Sequence, residues 1–419
     1  MRFLFYLMPG LVDMIIGVFF FVSAKRMANS GANSYMIALT MTIWAVFYAV
    51  TSYLMGFIQN RRNAVKLLYG SLAVLYLSLF GLMSFSNLHL QYLFLVGTGI
   101  GCAMFFCPFQ VVSGLFGKTV YDLKSIARNT GLYTFSWSFG MAMGPFAAGF
   151  VWGMFNEANG WRYCYAITIL LLTIVLACNV VLGRFVKRRL AEIGEDTEKS
   201  VDIEKEIPEE QRKLPDLMVT AWIFQGIGYI VIAMMRTYLP DYCTKELQMS
   251  TVHQGIVIAI ISFAQAGTGF VCQWARRWPY RPWIPGGVAL LACLAFVVFA
   301  FTGDWYSQQL TDFITNGERV RAIKTITFGC YALGALCLGI FSGVFCFLAT
   351  FHGLMNPTKS ARNIAVNETI VGLGSMFAPL LGGLLASTGN PVIPFYFCIL
   401  ALIAAAATYA KGTLCSRLG

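Results

Sequence analysis

The chain contains twelve continuous runs of predominantly apolar residues, each long enough to cross a bilayer as a helix. A transmembrane helix needs about 20 such residues. The runs form two sets of six, at about 3–24, 35–58, 65–84, 90–114, 126–155 and 163–183, then 217–240, 253–275, 282–302, 323–350, 364–388 and 391–412. Composition agrees, because only 12% of the 419 residues are charged, against about a quarter in a soluble domain. The sequence therefore predicts an all-α polytopic membrane protein with twelve transmembrane helices in two six-helix bundles.

A charged segment separates the two sets. Residues 184–216 hold 10 of the 19 acidic residues and 8 of the 30 basic ones. This density predicts a solvated cytoplasmic linker, in part a helix along the membrane surface. The predicted organisation is an N-terminal six-helix bundle at 1–183, the linker at 184–216, and a C-terminal six-helix bundle at 217–419.

The distribution of basic residues predicts the orientation in the membrane. With twelve spans, the termini and the even-numbered connections share one side, which carries 22 of the 30 Lys and Arg residues. The opposite side carries 7, and Arg236 lies within a run. This bias predicts cytoplasmic termini in a multi-pass protein of the cytoplasmic membrane. It also accounts for the net charge of +11, so no nucleic-acid partner is expected.

Neither cysteine nor histidine indicates a metal or catalytic site. The twelve cysteines show no C-x-x-C spacing, and the three histidines lie at the ends of runs without metal-ligand spacing. No nucleophile–base pair or phosphate-binding loop is recognisable. We therefore expect no enzyme activity, no metal and no cofactor. The expected form is a monomer in the bilayer.

One apolar run contains many residues that weaken helices. It reads ARNTGLYTFSWSFGMAMGPFAAG at 127–149. Small residues let a neighbouring helix approach closely in lipid, and the proline adds a bend because it removes a backbone donor. We predict a tight helix crossing, whose smooth surface would also suit a crossing that slides or rocks. The positions concerned are Gly131, Gly140, Gly144, Pro145 and Gly149.

A related stretch follows at a constant offset of 234 residues. It reads ARNIAVNETIVGLGSMFAPLLGG at 361–383 and shares six identical positions with the first. Its matching small or helix-bending positions are Gly374, Pro379 and Gly383. Between the ninth and tenth runs, the connection predicted at 303–322 is much longer than its counterpart in the first set.

These motifs resemble those of a known family. The spacing of Gly131, Gly140, Gly144-Pro145 and Gly149 resembles the fifth-helix signature of the major facilitator superfamily, and the second copy falls in the eleventh run, where the family's repeat would place it. GFIQNRRN at 56–63 resembles the family's loop after the second helix. In that loop Gly56 and Arg61 match, and Asn60 stands in place of an acidic residue.

The resemblance implies a fold and a mechanism. It implies two six-helix bundles around a central cavity that opens to each side of the membrane in turn. Helices 1, 4, 7 and 10 would line that cavity. The implied activity is secondary transport by alternating access.

Three charged residues, Asp13, Arg236 and Glu368, lie in the apolar runs away from the first and last three residues, where charge is costly and a functional role is the default hypothesis. Asp13 lies near the middle of the first run on a face shared with Gly10 and Gly17, and a carboxyl buried there could exchange a proton. Glu368, in the eleventh run, is a second candidate for proton coupling. The structural alternatives are a buried pair or a hydrogen bond to another helix for Asp13, and for Glu368 a latch with Arg362 or with a loop arginine.

Arg236, the third of these residues, lies in the seventh run. Gln225 and Tyr229 fall on its helical face, and a guanidinium offers paired donors to a carboxylate or phosphate. We predict that this stripe contacts substrate, with snorkelling or a pair with Asp241 as the structural alternative. Other candidate contacts are Asp13, Tyr133, Trp137 and Tyr331, and also Trp44, Tyr48, Gln110 and Gln265.

Two transport functions remain open at this stage, and a lipid-handling protein such as a flippase is a third interpretation. One is a proton-coupled carrier for a small organic solute such as an organic anion or metabolite, with Arg236 as anchor and Asp13 as coupling site. The other is a multidrug antiporter that exchanges protons for apolar cations, with Asp13 and Glu368 as counter-charges. Against the second, the fourth run lacks the arginine that the family's drug exporters usually carry there. The expected partners are the solute, protons and the bilayer.

Overall fold

A computed structural model describes residues 2–32, 34–116, 123–155, 159–193, 214–274, 277–313, 317–356 and 358–418. In these residues the secondary structure is helical, without strands, so the all-α prediction is confirmed. The helices are α1 Arg2–Asn29, α2 Ser34–Ile58, α3 Ala64–Ser84, α4 Leu88–Ser113, α5 Leu123–Met154, α6 Gly160–Ile193, α7 Met218–Lys245, α8 Thr251–Cys272, α9 Trp283–Phe313, α10 Gly317–Met355, α11 Ser360–Ala386 and α12 Ile393–Leu418.

Each predicted run coincides with one helix. Eleven of the described helices are long and apolar enough to cross a membrane. The remaining helix, α5, is less apolar because it is rich in glycine, serine and threonine. The connection predicted at 303–322 is largely helical, since α9 extends to Phe313 and α10 begins at Gly317. That prediction was wrong because polar residues end an apolar run without ending a helix.

The predicted linker begins inside a helix. Helix α6 continues beyond residue 183 to Ile193, and its last turns are basic, with an ion pair between the half-buried Arg189 and the exposed Glu192. Residues 194–213 of the linker lie outside the described residues. The division into bundles at 1–183 and 217–419 therefore stays a prediction.

By its internal contacts the chain forms two compact units. In unit 1, α1 packs on α5 and α6, while α3 packs on α4 and α6. In unit 2, α12 packs on both α9 and α7. Unit 1 comprises Met1–Leu214, Gly269–Arg276 and Ala349–Met376, and unit 2 comprises Pro215–Thr268, Arg277–Leu348 and Phe377–Gly419.

Within unit 1, the glycine-rich α5 crosses α1 at close range. A methyl group on Gly140 would run into the backbone of Gly10. One on Gly144 would lie 2.6 Å from the Met14 carbonyl oxygen and 2.7 Å from Gly17 Cα. Side-chain carbons do not approach backbone atoms this closely, so the crossing requires glycine at both positions of α5.

Other motif positions have different surroundings. A methyl group on Gly131 would lie 2.7 Å from the Gln273 backbone, also within unit 1. By contrast, a methyl group on Gly149 would meet only the tip of Phe21, at 3.9 Å, and one on Gly383 would meet nothing within 4 Å. Close backbone contact is therefore concentrated in the first three glycines of the α5 motif.

The α2–α3 connection is held by side-chain hydrogen bonds within unit 1. Asn60 Oδ1 accepts hydrogen bonds from the backbone N–H groups of Arg62 and Asn63, at 3.0 and 2.9 Å. The adjacent Gln59 donates to the Ala361 carbonyl at 2.7 Å, at the start of α11. A methyl group on Gly56 would lie 3.0 Å from Ala365 Cβ. The amide of Asn60 thus caps a tight turn that docks against α11.

Candidate functional site

The carboxyl group of Glu368 is buried in unit 1 and surrounded by neutral hydrogen-bond partners. Glu368 is 6% exposed. Its Oε2 accepts a hydrogen bond from the Tyr48 hydroxyl, and its Oε1 accepts from Gln110 Nε2 at 2.5 Å and from Asn367 Nδ2 at 3.4 Å. Among the described residues no basic side chain pairs with it, so the latch with Arg362 does not form in this structure. We call Glu368, Tyr48, Gln110 and Asn367 the carboxyl cage.

A close contact between α2 and α11 positions this cage. A methyl group on Gly372 would lie 2.7 Å from Ala49 Cβ and 2.9 Å from its Cα, so the two helices nearly touch there. Glu368 lies one turn before Gly372 on the same face of α11, and Tyr48 directly precedes Ala49. The missing side chain at Gly372 therefore lets the carboxyl reach the tyrosine.

Several polar atoms close to the cage have no hydrogen-bond partner among the described residues. The two that belong to the cage are Gln110 Oε1 and Asn367 Oδ1, while Ser52 and Trp44 lie beside the thiols of Cys107 and Cys102. The Trp44 ring stacks on that of Tyr48, with ring centroids 4.7 Å apart. An unsatisfied buried polar atom costs about 1–3 kcal/mol. The region is therefore polar enough to accommodate water or a polar ligand group.

Asp13 is buried in the same unit, 5% exposed. Gly10 and Gly17, on either side of it, pack against α5, so the face predicted to meet a cavity or a neighbour meets a helix. Asp13 interacts electrostatically with the Cys102 thiol, and Glu368 with the Cys107 thiol. These cysteines are five residues apart on α4, about 7.5 Å along its axis. The two candidate proton carriers therefore lie beside one helix.

In unit 2, Arg236 lies in a second polar cluster. Arg236 is half-buried, and its Nη2 donates to Gln265 Oε1 on α8 at 3.3 Å. The same oxygen accepts a hydrogen bond from Ser342 Oγ on α10 at 2.7 Å. Gly339 and Gly343 create this arrangement, since a methyl group on Gly339 would lie 2.5 Å from Ala264 Cβ and one on Gly343 2.7 Å from the Gln265 carbonyl oxygen.

The other members of the predicted α7 stripe lie along the same unit. Tyr229 is half-buried, its hydroxyl is 3.8 Å from Cys346 Sγ, and its ring packs edge-on against Phe345. Gln225 is 2% exposed, and within the described chain its Oε1 has no hydrogen-bond partner. Both α7 side chains are thus placed among packed helices, while Arg236 reaches polar groups on α8 and α10.

The remaining predicted aromatics occupy packed positions. Tyr331 is fully buried, stacks on Phe299 and donates to the Phe299 carbonyl at 2.9 Å. Tyr133 is 4% exposed and interacts electrostatically with Tyr48, which places it close to the cage. Trp137 is half-buried against the core of unit 1.

Asn367, Ser52 and Ser342 were not identified from the sequence. Asn367 directly precedes Glu368, so the prediction of Glu368 could have drawn attention to it. Ser342 lies between two glycines that predict a close crossing, and only the structure shows which helix they cross. Ser52 is one turn from Tyr48, a signal too common in membrane helices to be informative.

Residues 3–358 match the model described as Major Facilitator Superfamily. The chain belongs to the major facilitator superfamily. It is therefore a multi-pass membrane transporter, and the family and fold favour transport over an enzymatic function. Assigning the chain to this superfamily agrees with the predicted signature in α5.

Individual members of the superfamily are similar at low identity. The structure of the proton:xylose symporter XylE bound to 6-bromo-6-deoxy-D-glucose aligns with a TM-score of 0.66 and 12% identity, covering 98% of this chain and 95% of that one. The proton-coupled antiporter flippase LtaA of Staphylococcus epidermidis is 22% identical over 389 residues, 90% of this chain and 86% of its own. The uncharacterized MFS-type transporter MJ1560 of Methanocaldococcus jannaschii is 27% identical over 135 residues, 30% of this chain and 34% of its own.

Proposed function

We propose that this protein is a proton-coupled secondary transporter in which Glu368 carries the coupled proton. The observation that supports this proposal is a buried carboxyl whose partners are all neutral. A carboxylate kept for structure inside a membrane protein usually pairs with a cation. The cage contains no cation among the described residues.

The chemistry of the three partners suits a group that changes protonation state. A hydroxyl and a side-chain amide can each donate or accept a hydrogen bond, whereas Lys and Arg only donate. Tyr48, Gln110 and Asn367 can therefore donate to a carboxylate or accept from a carboxylic acid. For the two amides this requires only a rotation of the amide group, which exchanges the positions of its oxygen and its NH₂ group. Gln110 Oε1 and Asn367 Oδ1, which now lack partners, are the acceptors that a protonated Glu368 would use.

We propose Arg236 as the anchor for an anionic group on the cargo. It lies in a different unit from the carboxyl cage and contacts the neutral Gln265. A guanidinium binds a carboxylate or phosphate through two parallel hydrogen bonds. The favoured cargo is thus a small organic anion or metabolite. The predicted orientation, with cytoplasmic termini, and the monomeric state are parts of the same proposal.

The similarity to the S. epidermidis protein favours a second candidate. That relative is named a proton-coupled antiporter flippase and is similar over most of both chains. On this basis the cargo would be a lipid-linked molecule that moves from one leaflet of the bilayer to the other in exchange for protons. Exchange of protons for apolar cations is the third possibility, with Asp13 and Glu368 as counter-charges.

A thermal-stability panel distinguishes these cargo classes. The purified protein is mixed with water-soluble anions, neutral solutes, apolar cations and lipid-linked molecules, and its unfolding temperature is measured. A ligand at a hundredfold excess over its Kd stabilises the native state by about 2.7 kcal/mol. Stabilisation by soluble anions supports the first candidate, and stabilisation by lipid-linked molecules alone supports the second. A positive response to apolar cations alone would instead favour multidrug antiport.

Arg236→Ala is expected to abolish binding and transport of an anionic cargo. The loss should exceed tenfold, because a charged hydrogen bond contributes about 1.5–3 kcal/mol. Arg236→Lys, which keeps the charge but loses the paired donors, should retain part of the affinity. Arg281→Ala, at an exposed arginine of unit 2, is the matched control. Normal uptake of an anion by Arg236→Ala protein would contradict the role of Arg236.

Asp13→Asn is expected to reduce proton-driven accumulation while exchange of cargo continues. Asparagine has nearly the shape of aspartate but cannot carry a proton, and the α1–α5 contact depends on the neighbouring glycines. Accumulation and counterflow in proteoliposomes measure the two activities separately. If both activities are unchanged, Asp13 has no part in coupling and serves the packing of α1.

A further inference from the structure

Unit 2 contains a separate pocket of about 440 Å³ outside the clusters described above. It is formed by the α7–α8 connection, the start of α8, the last turns of α9 and the first turns of α10. In the proposed orientation it opens on the extracellular side. We propose that this pocket binds an oxyanion, either a free phosphate-type solute or the phosphate of a lipid headgroup.

The charge of the lining supports an anionic ligand. Arg321 and Lys324 lie on one face of α10 and are exposed, and His253 of α8 also lines the pocket. No Asp or Glu occurs among the described residues that line the pocket. Helix α8 also begins here, at Thr251, and a helix N-terminus favours negative charge.

Two buried hydroxyls in the lining have no partner within the described residues. Tyr306 and Thr327 are each 1% exposed, and neither Tyr306 Oη nor Thr327 Oγ1 makes a hydrogen bond. A hydroxyl of this kind is costly unless water or a ligand satisfies it. Because a hydroxyl can donate to an oxyanion, these two groups complement the cations at the rim.

The backbone of the pocket is also unusual. Gln248 lines it with φ of 47°, the left-handed region that side chains other than glycine rarely adopt, and among the described residues it is the one non-glycine case. Such conformations persist where surrounding structure imposes them, often at ligand sites. Next to it, Ser250 Oγ lies 3.0 Å from His253 Nδ1, and the His253 ring packs on Phe328. The part of the lining that comes from the α7–α8 connection and the start of α8 is therefore held in place by specific contacts.

The test measures the unfolding temperature of the full-length purified protein with inorganic phosphate, against chloride at equal ionic strength. A parallel series uses vesicles of phosphatidylcholine with or without phosphatidylglycerol. The proposal predicts a rise with phosphate or with phosphatidylglycerol. The response to free phosphate identifies a solute site, and a response confined to phosphatidylglycerol identifies a lipid site.

Variants separate this site from nonspecific attraction. Arg321→Gln with Lys324→Gln should eliminate the rise, whereas Arg319→Gln with Lys245→Gln removes equal charge from residues that do not line the pocket and should preserve it. Tyr306→Phe and Thr327→Val should weaken binding about tenfold each. In the ligand-free protein they should leave the unfolding temperature unchanged or higher, because each removes an unsatisfied hydroxyl.

The outcomes are decisive for this pocket alone. An equal response in all variants, or no response to either probe, would overturn the proposal. Lower ligand-free stability of both hydroxyl variants, with unchanged binding, would also overturn it by giving the hydroxyls a structural role. None of these results depends on Glu368 or Arg236.

Discussion

Glu368→Gln is expected to abolish accumulation of cargo driven by a pH gradient, while exchange of cargo across the membrane continues. Glutamine fits the carboxyl cage because Tyr48, Gln110 and Asn367 can each donate to it or accept from it. It cannot take up or release a proton. The variant should therefore fold and bind cargo, yet work only as an exchanger.

The expected size of this effect follows from the driving force. A gradient of one pH unit corresponds to about 1.4 kcal/mol per proton, which supports about tenfold accumulation when one proton moves per cargo molecule. In Glu368→Gln protein this ratio should fall to about one. Proteoliposomes with a fixed pH gradient measure the ratio, and counterflow measures exchange.

Two variants serve as comparisons for Glu368→Gln. Glu246→Gln makes the same chemical change at an exposed position and should accumulate cargo normally. Tyr48→Phe removes one hydroxyl that can donate or accept a hydrogen bond but keeps the Glu368 carboxyl, so coupling should weaken without disappearing. Full accumulation by Glu368→Gln protein would show that the coupled proton travels elsewhere, with Asp13 the next candidate.

Gly140→Ala is expected to destabilise the protein and to reduce transport. The added methyl group would run into the backbone of Gly10, which cannot rotate away as a side chain could. Helices α1 and α5 must then separate, and overpacking of this kind costs about 1–3 kcal/mol. Unfolding of the detergent-purified protein by heat or by denaturant measures this loss of stability.

Gly153→Ala is the matched control for this substitution. It lies on the same helix, and a methyl group there would meet nothing within 4 Å. Since alanine favours helices over glycine, its stability should be unchanged or up to about 1 kcal/mol higher. Equal stability of the two variants would mean that the α1–α5 crossing tolerates separation.

The fold was predictable because its signals are local. Continuous apolar runs mark helices over many residues, and the glycines of α5 indicate a close crossing without reference to any partner. What could not be predicted was the partner, since Gly140 meets Gly10 from a distant run. The full lengths of α9 and α10 were also missed. Polar residues at the end of α9 and charged residues near Arg321 at the start of α10 interrupt the apolar run, but they are compatible with helix.

The candidate site was predictable only in part. Rarity singled out Asp13, Arg236 and Glu368, because few ionisable residues occur in the apolar runs. Pairing was not predictable, since Tyr48 and Glu368 are 320 residues apart and no periodicity links them. Tyr331 was predicted to contact substrate, but the structure packs its ring fully and its hydroxyl donates to a backbone carbonyl. The sequence does not distinguish a packed aromatic residue in a span from one that lines a cavity.

The most direct test of the central claim is to measure proton movement caused by cargo. Wild-type protein is reconstituted in vesicles containing a pH-sensitive dye, with equal pH on both sides, and a gradient of the cargo identified by the stability panel is applied. We expect cargo flux to change the internal pH, and we expect this change to be absent with Glu368→Gln protein. Cargo flux through the wild-type protein without any change in internal pH would contradict proton coupling.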